Sequence, residues 1–203
     1  TSQRAALNEK LGELCLHRLG DAEAAARYLE AAARLAPKRT ELWRSLARLY
    51  EAAGRSADVA RVLEAELETG VSPEVERALS SRIAALCTGA LDDPERARRH
   101  YERLIELDPD NGAAQEFLIA RWQEDGRPEE VLRLLERRLD ALDAQPRDDA
   151  GHWAAQRTSL RLRIAGLRTG ALDDPDGAIA VLEVGLSEIG PLAAVAASTF
   201  APN

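Results

Sequence analysis

The chain has no methionine among its 203 residues, and only three tryptophans, three tyrosines and two phenylalanines. Valine and isoleucine are also scarce, at 8 and 6. Sheets are built largely from β-branched and aromatic residues, so this shortage excludes a sandwich, a barrel or a parallel sheet. Two cysteines cannot make a disulfide framework. No apolar run approaches the roughly 20 residues that a bilayer crossing needs, so membrane insertion is not expected. Lysine is almost missing: 25 of the 27 basic residues are arginine, and 35 acids outnumber them to leave a net charge of −8. Duplex binding needs a positive face that displaces counterions, and the acidic balance predicts no nucleic-acid partner. The absence of methionine even at position 1 is what a processed or excised product is expected to show. Any targeting signal ahead of Thr1 would be invisible, and the compartment stays open.

What the chain does have is 38 alanines and 30 leucines, residues that lose little side-chain freedom in helices. They are arranged repetitively. Arg82-Ile-Ala-Ala-Leu-Cys-Thr-Gly-Ala-Leu-Asp-Asp-Pro94 returns as Arg163-Ile-Ala-Gly-Leu-Arg-Thr-Gly-Ala-Leu-Asp-Asp-Pro175, identical at 11 of 13 positions with an offset of 81. Gly54, Arg55, Val59, Arg61, Leu63, Glu64 and Leu67 return 72 residues later as Gly126, Arg127, Val131, Arg133, Leu135, Glu136 and Leu139. Each offset holds two helical hairpins, so the unit is about 36 to 40 residues long. Breaks are predicted at Gly20-Asp21, Ala36-Pro37, Gly54-Arg55, Gly70 to Pro73, Gly89 to Pro94, Asp108 to Gly112, Gly126 to Pro128, Gln145 to Gly151, Gly170 to Pro175 and Gly190-Pro191. Between them lie ten segments with apolar residues three and four apart, read as helices in five antiparallel pairs. Asp-Asp-Pro at 92–94 and 173–175 reads as an N-cap followed by proline at the first helical position.

These residues resemble the tetratricopeptide repeats. Trp43-x2-Leu46-Ala47-x2-Tyr50 followed by Gly54 fits that family's first helix and turn, with Ala for Gly. Leu11-Gly12, Gly20-Asp21, Ala25, Leu29, Ala32 and Pro37 fit the first repeat with one residue inserted. Ala97, Tyr101 and Pro109 fit the third repeat, and Leu118, Trp122 and Gly126 the fourth. The fifth is the loosest, held by Ala178, Leu182 and Gly190-Pro191. The resemblance implies an all-α, right-handed α-solenoid of about five helix–turn–helix repeats over residues 3–191, with first helices lining the concave face. The repeats would run over 3–37, 38–72, 73–109, 110–146 and 147–191, followed by an apolar tail at 192–203. Leu139 to Ile164 is nine residues longer than its counterpart Leu67 to Ile83. Longer helices joined near Pro146, or a polar loop, would accommodate the extra length.

Chemistry is sparse. Cys15 and Cys87 occupy the same repeat position, read as small buried apolar residues, and lie too far apart to bridge. His17, His100 and His152 lack metal-ligand spacing, and the paired acids sit at turns, so no metal, cofactor or catalytic residue is expected. Arg98, Arg99, Arg137 and Arg138 lie on second helices among acids, unlike an RNA-reading array.

Surface remains. One subset of the family grips a C-terminal carboxylate with Lys and Asn on first helices, but the matching places in repeat one are Glu9 and Glu13, which repel such a group. Arg44 and Arg48, one turn apart, together with Arg82 and Arg163, suit a carboxylate-bearing partner. The favoured reading of each, however, is an Arg–Glu network between neighbouring repeats. From Ile189 onward there is no charge, and Leu192, Val195 and Phe200 are apolar. That segment would fold back as a short helix, engage the first repeat of another copy, or mark the cut edge of a longer array. The expected role is a non-enzymatic scaffold for protein–protein interaction, binding a protein or peptide on a concave surface. The alternative is a structural subunit that stacks end to end through head-to-tail self-association.

Overall fold

The computed structural model describes the backbone of residues 2–144 and 150–199, and the side chains of 2–144 and 153–187. Among the described residues there are ten α-helices and no strand. They are α1 (Ser2–Leu14), α2 (Ala22–Leu35), α3 (Thr40–Ala52), α4 (Ser56–Leu67), α5 (Pro73–Thr88), α6 (Pro94–Leu107), α7 (Gly112–Glu124), α8 (Pro128–Ala144), α9 (Ala150–Gly170) and α10 (Pro175–Thr199). The chain forms two compact units, residues 1–108 and 109–203.

In the first unit each of the six helices packs on the one before and the one after it, from α1 to α6. In the second, α7 packs on α8, α8 on α9 and α9 on α10. This chain-neighbour order is what a repeat demands, because one amphipathic hairpin has no other way to hide its apolar side. The fully buried residues recur in register: Leu46, Ile83, Leu118 and Ile164 are all 0% exposed. The next residue is Ala47, Ala84, Ile119 or Ala165, buried in every case, and small enough in three of them for a neighbouring helix to come close.

The turns repeat as faithfully as the helices. Asp93 Oδ1 accepts the Arg96 amide at 3.0 Å and Asp174 Oδ1 accepts that of Gly177 at 2.9 Å, each just ahead of a proline-headed helix. The preceding Asp92 and Asp173 take φ of 48° and 50°, a left-handed conformation that a short polar side chain tolerates. Gly54 and Gly126, the 72-residue pair, sit at φ 68° and 65°. There the amides of Arg55 and Arg127 return to the carbonyls of Tyr50 and Trp122 at 2.9 and 2.8 Å.

The inserted residue of the first repeat is taken up by a π-helical turn, Cys15–Leu19, that continues α1. Such a turn adds one residue to an α-helix without interrupting it, so both flanking helices keep their packing register. The nine-residue excess lengthens α8 to 17 residues and α9 to 21, with the joint near Pro146 outside the described residues. One expected break is absent. α10 runs unbroken through Gly190-Pro191 to Thr199, where the alanine-rich residues beyond the proline favour helix.

Gly12 sits at a close helix approach in the first hairpin: a Cβ there would fall 2.8 Å from Leu29 Cγ and 3.3 Å from the Ala25 carbonyl oxygen. Gly12→Ala is therefore expected to destabilise the fold by about 1–3 kcal/mol in urea unfolding. Gly112→Ala, where a Cβ meets nothing within 4 Å, should be neutral or slightly stabilising.

Candidate functional site

Within the first unit, α3 and α5 wall a groove whose floor is α4. The groove encloses about 410 Å³. α3 presents Arg44, Ala47, Arg48 and Glu51, a single stripe at helical spacing, and α5 presents Glu74, Val75, Ala78, Leu79 and Arg82. Leu63 and Glu66 of α4 lie beneath. Arg82 is tied to Glu51 across the groove. Arg44 and Arg48 are exposed and, among the described residues, neither has an ion-pair or hydrogen-bond partner.

Glu66 is the anomaly of this site. It is 1% exposed, and neither carboxylate oxygen has a hydrogen-bond partner. Burial pushes its carboxyl above the ordinary value of 4.5, partly offset by the positive charge of Arg44. Sequence reasoning missed it because Glu64-Ala65-Glu66 looks like a solvated face. The signal was available: Val59, Val62, Leu63 and Glu66 follow one helical stripe, and the first three are 1% exposed.

The other residues singled out from the sequence lie apart from one another. Glu9 holds Arg39 through two hydrogen bonds of 2.7 and 2.8 Å, and Glu13 holds Lys10 at 2.8 Å. Arg163 is exposed on α9 in the second unit, beside Leu162 and Ala155. Leu192, Val195 and Phe200 fall outside the residues whose side chains are described. Cys15 and Cys87 are free and buried, and burial pushes the Cys87 thiol up. No three of the described His, Cys, Asp and Glu residues gather as a metal site would require, and no described helix is long and apolar enough to cross a membrane.

Much of the arginine serves the Arg–Glu networks. Arg39–Glu9, Arg61–Glu30, Arg82–Glu51, Arg96–Glu64 and Arg168–Glu136 all join residues 30 to 32 apart, close to one repeat length. Glu64 also receives His100 at 3.2 Å, and burial of its carboxyl is more than offset by Arg96 and His100, which hold it below its ordinary value. The repeat position that carries Trp43 carries Ser80, Gln115 and Arg161 in later hairpins, all buried. Trp43 Nε1 donates to the Pro37 carbonyl at 2.8 Å, and Gln115 Nε2 reproduces that bond to Pro109 at 2.6 Å.

This arrangement of tandem, neighbour-packed hairpins defines an α-helical repeat protein. Tetratricopeptide-repeat family models match residues 16–81 and 83–111. The matched residues, 95 of the 203, are tetratricopeptide repeats, a repeat class that supports a protein–protein interaction scaffold. No curated protein matches the chain. Among solved structures, it is similar to a MamA protein at 14% identity, covering 92% of each chain with a TM-score of 0.41. It is also similar to YrrB, described as a TPR protein with an unusual peptide-binding site, at 15% identity over 90% of this chain and 85% of that one, TM-score 0.42. A third is BtubC (BKLC) from P. vanneervenii, at 16% identity, 99% and 93% coverage and a TM-score of 0.41.

Glu66 makes stability depend on pH in a defined direction. The folded chain keeps the Glu66 proton to higher pH than the unfolded chain does, so between the two pKa values the folded state binds more protons. Stability therefore falls as pH rises through that window from about 4.5 upward. Glu66→Leu is expected to remove this dependence and to stabilise the protein at neutral pH by about 1–3 kcal/mol, read from urea midpoints across pH.

Proposed function

We propose that the chain is a non-enzymatic interaction scaffold whose α3–α5 groove receives a peptide segment bearing a carboxylate. The observation that carries this reading is the pair Arg44 and Arg48. They stand one turn apart without an ion-pair or hydrogen-bond partner among the described residues, beside an apolar lining of Ala47, Leu63 and Leu79, while Arg39, Arg61, Arg82, Arg96 and Arg103 are engaged by acids. An unpaired guanidinium pair matches a carboxylate in charge and in geometry. The floor takes an adjacent apolar side chain, and helices held by their neighbours lower the ordering cost of binding.

The test is fluorescence anisotropy with a fluorescein-labelled peptide of alternating Glu and Leu. Arg44→Ala and Arg48→Ala are each expected to weaken binding roughly 5- to 30-fold, about 1–2 kcal/mol, and added salt to weaken the wild type further. Binding indifferent to both substitutions overturns the proposal.

A second reading, end-to-end assembly, is favoured by Leu7, Leu11 and Leu14, a helical stripe on α1 that is 66%, 42% and 45% exposed. Ile179 and Leu186 of α10 are 54% and 70% exposed as well. Light scattering over a dilution series separates the two readings. A groove scaffold keeps the mass of one chain, whereas an assembling subunit grows with concentration and stops growing in Leu11→Glu.

A further inference from the structure

The groove holds three arginines, Arg44, Arg48 and Arg82, facing three glutamates, Glu51, Glu66 and Glu74. Arg82 and Glu51 neutralise each other. Glu74, on the first turn of α5, is held below the ordinary carboxylate range by its own backbone amide and by Ser72, so it is ionised. The charge state of Glu66 therefore decides whether the groove as a whole is neutral or carries one positive charge.

α3 brings Arg44, Arg48 and Glu51 to the groove and α5 brings Glu74 and Arg82, while Glu41 of α3 and Glu76 and Arg77 of α5 lie outside its lining; of all these charges, Arg44 is the one that acts on Glu66. That leaves Arg44 shared between two claims. Without a ligand its positive charge compensates a carboxylate with no hydrogen bond. With a carboxylate ligand in the groove it is half of the guanidinium pair that receives it. A buried, unpartnered carboxylate deprived of its compensating cation is strongly unfavourable, and the least costly remedy is a proton.

We propose that Glu66 exchanges Arg44 for a proton when an acidic peptide binds. The ligand carboxylate takes Arg44 and Arg48, and Glu66 takes one proton from solvent to become the neutral acid. This inference rests on the reading of the groove given above and adds a binding-site residue to it. A peptide is the occupant because two arginines flank an apolar floor in a chain of net charge −8, where a nucleic-acid strand would need a basic track. Groove occupancy and protonation are thus linked: acidification favours binding, and binding raises the affinity of Glu66 for its proton.

The experiment uses the full chain and the alternating Glu–Leu peptide between about pH 5.5 and about pH 8, above the ordinary carboxylate range of about 4.3 in which the probe itself titrates. Wild-type affinity is expected to fall as pH rises, approaching about tenfold per pH unit at the steepest, as exchange of one proton dictates. Calorimetry in buffers of different protonation enthalpy should read the uptake of up to one proton per peptide. Glu66→Gln, close in shape and uncharged, should give a flat profile and keep the tighter binding at the alkaline end. A flat wild-type profile, or a slope that survives in Glu66→Gln, overturns the proton exchange and leaves the groove reading standing. Binding that ignores both Arg44→Ala and Arg48→Ala, or no binding at any pH, brings down the groove reading and this inference with it. An oligothymidylate of equal charge that displaces the peptide identifies nucleic acid as the occupant and overturns the peptide assignment.

Discussion

Everything in this protein depends on close helix contact between residues adjacent in the repeat. No hairpin can bury its own apolar stripe, so within each unit a hairpin uses its neighbour as the other half of its core. The contact distance is set by small side chains. Ala25, Ala32, Ala60, Ala84 and Ala97 are 0% exposed, and at Gly12 even a methyl group would collide with Leu29. Large residues such as Leu46 and Ile83 then fill the space between crossings to crystal-like density. Alanine is abundant because the crossings are many, and aromatics are few because the fold has little room for them.

The site inherits its form from this packing. In the first unit, first helices of successive hairpins stand side by side, the second helix between them forms a floor, and a groove results without any loop having to be shaped. What distinguishes the α3–α5 groove is charge that the packing does not explain. Arg39, Arg61 and Arg82 find acids about one repeat away, whereas Arg44 and Arg48 have no ion-pair partner among the described residues. Glu66, in turn, occupies a position that a leucine would fill more favourably, so its presence is a departure from what stability alone selects.

The architecture was legible because repetition is a redundant signal. Asp-Asp-Pro at two sites specified the caps of α6 and α10, and the one-residue misfit of the first repeat corresponds to the π-helical turn between Gly12 and Ala25. The break expected at Gly190-Pro191 does not form, and α10 continues into the alanine-rich residues that follow. The buried polar residues were legible only in part. Gln115 replaces a tryptophan because its amide reaches the same upstream carbonyl, an equivalence that residue classes do not reveal. Glu66 lay on the apolar stripe of α4, but its charge hid it among neighbours that do face solvent. The lone arginines emerge only in three dimensions, since a sequence shows which charges exist and not which of them are already matched.

The Arg–Glu rungs at intervals of 30 to 32 residues give the first unit a graded mechanical character. Each rung latches one hairpin to its neighbour and none reaches further. Tension applied along this unit is therefore met by one latch and one interface at a time, and a hairpin pulled loose leaves its distant companions seated. Opening of this kind proceeds in small steps, each confined to one interface.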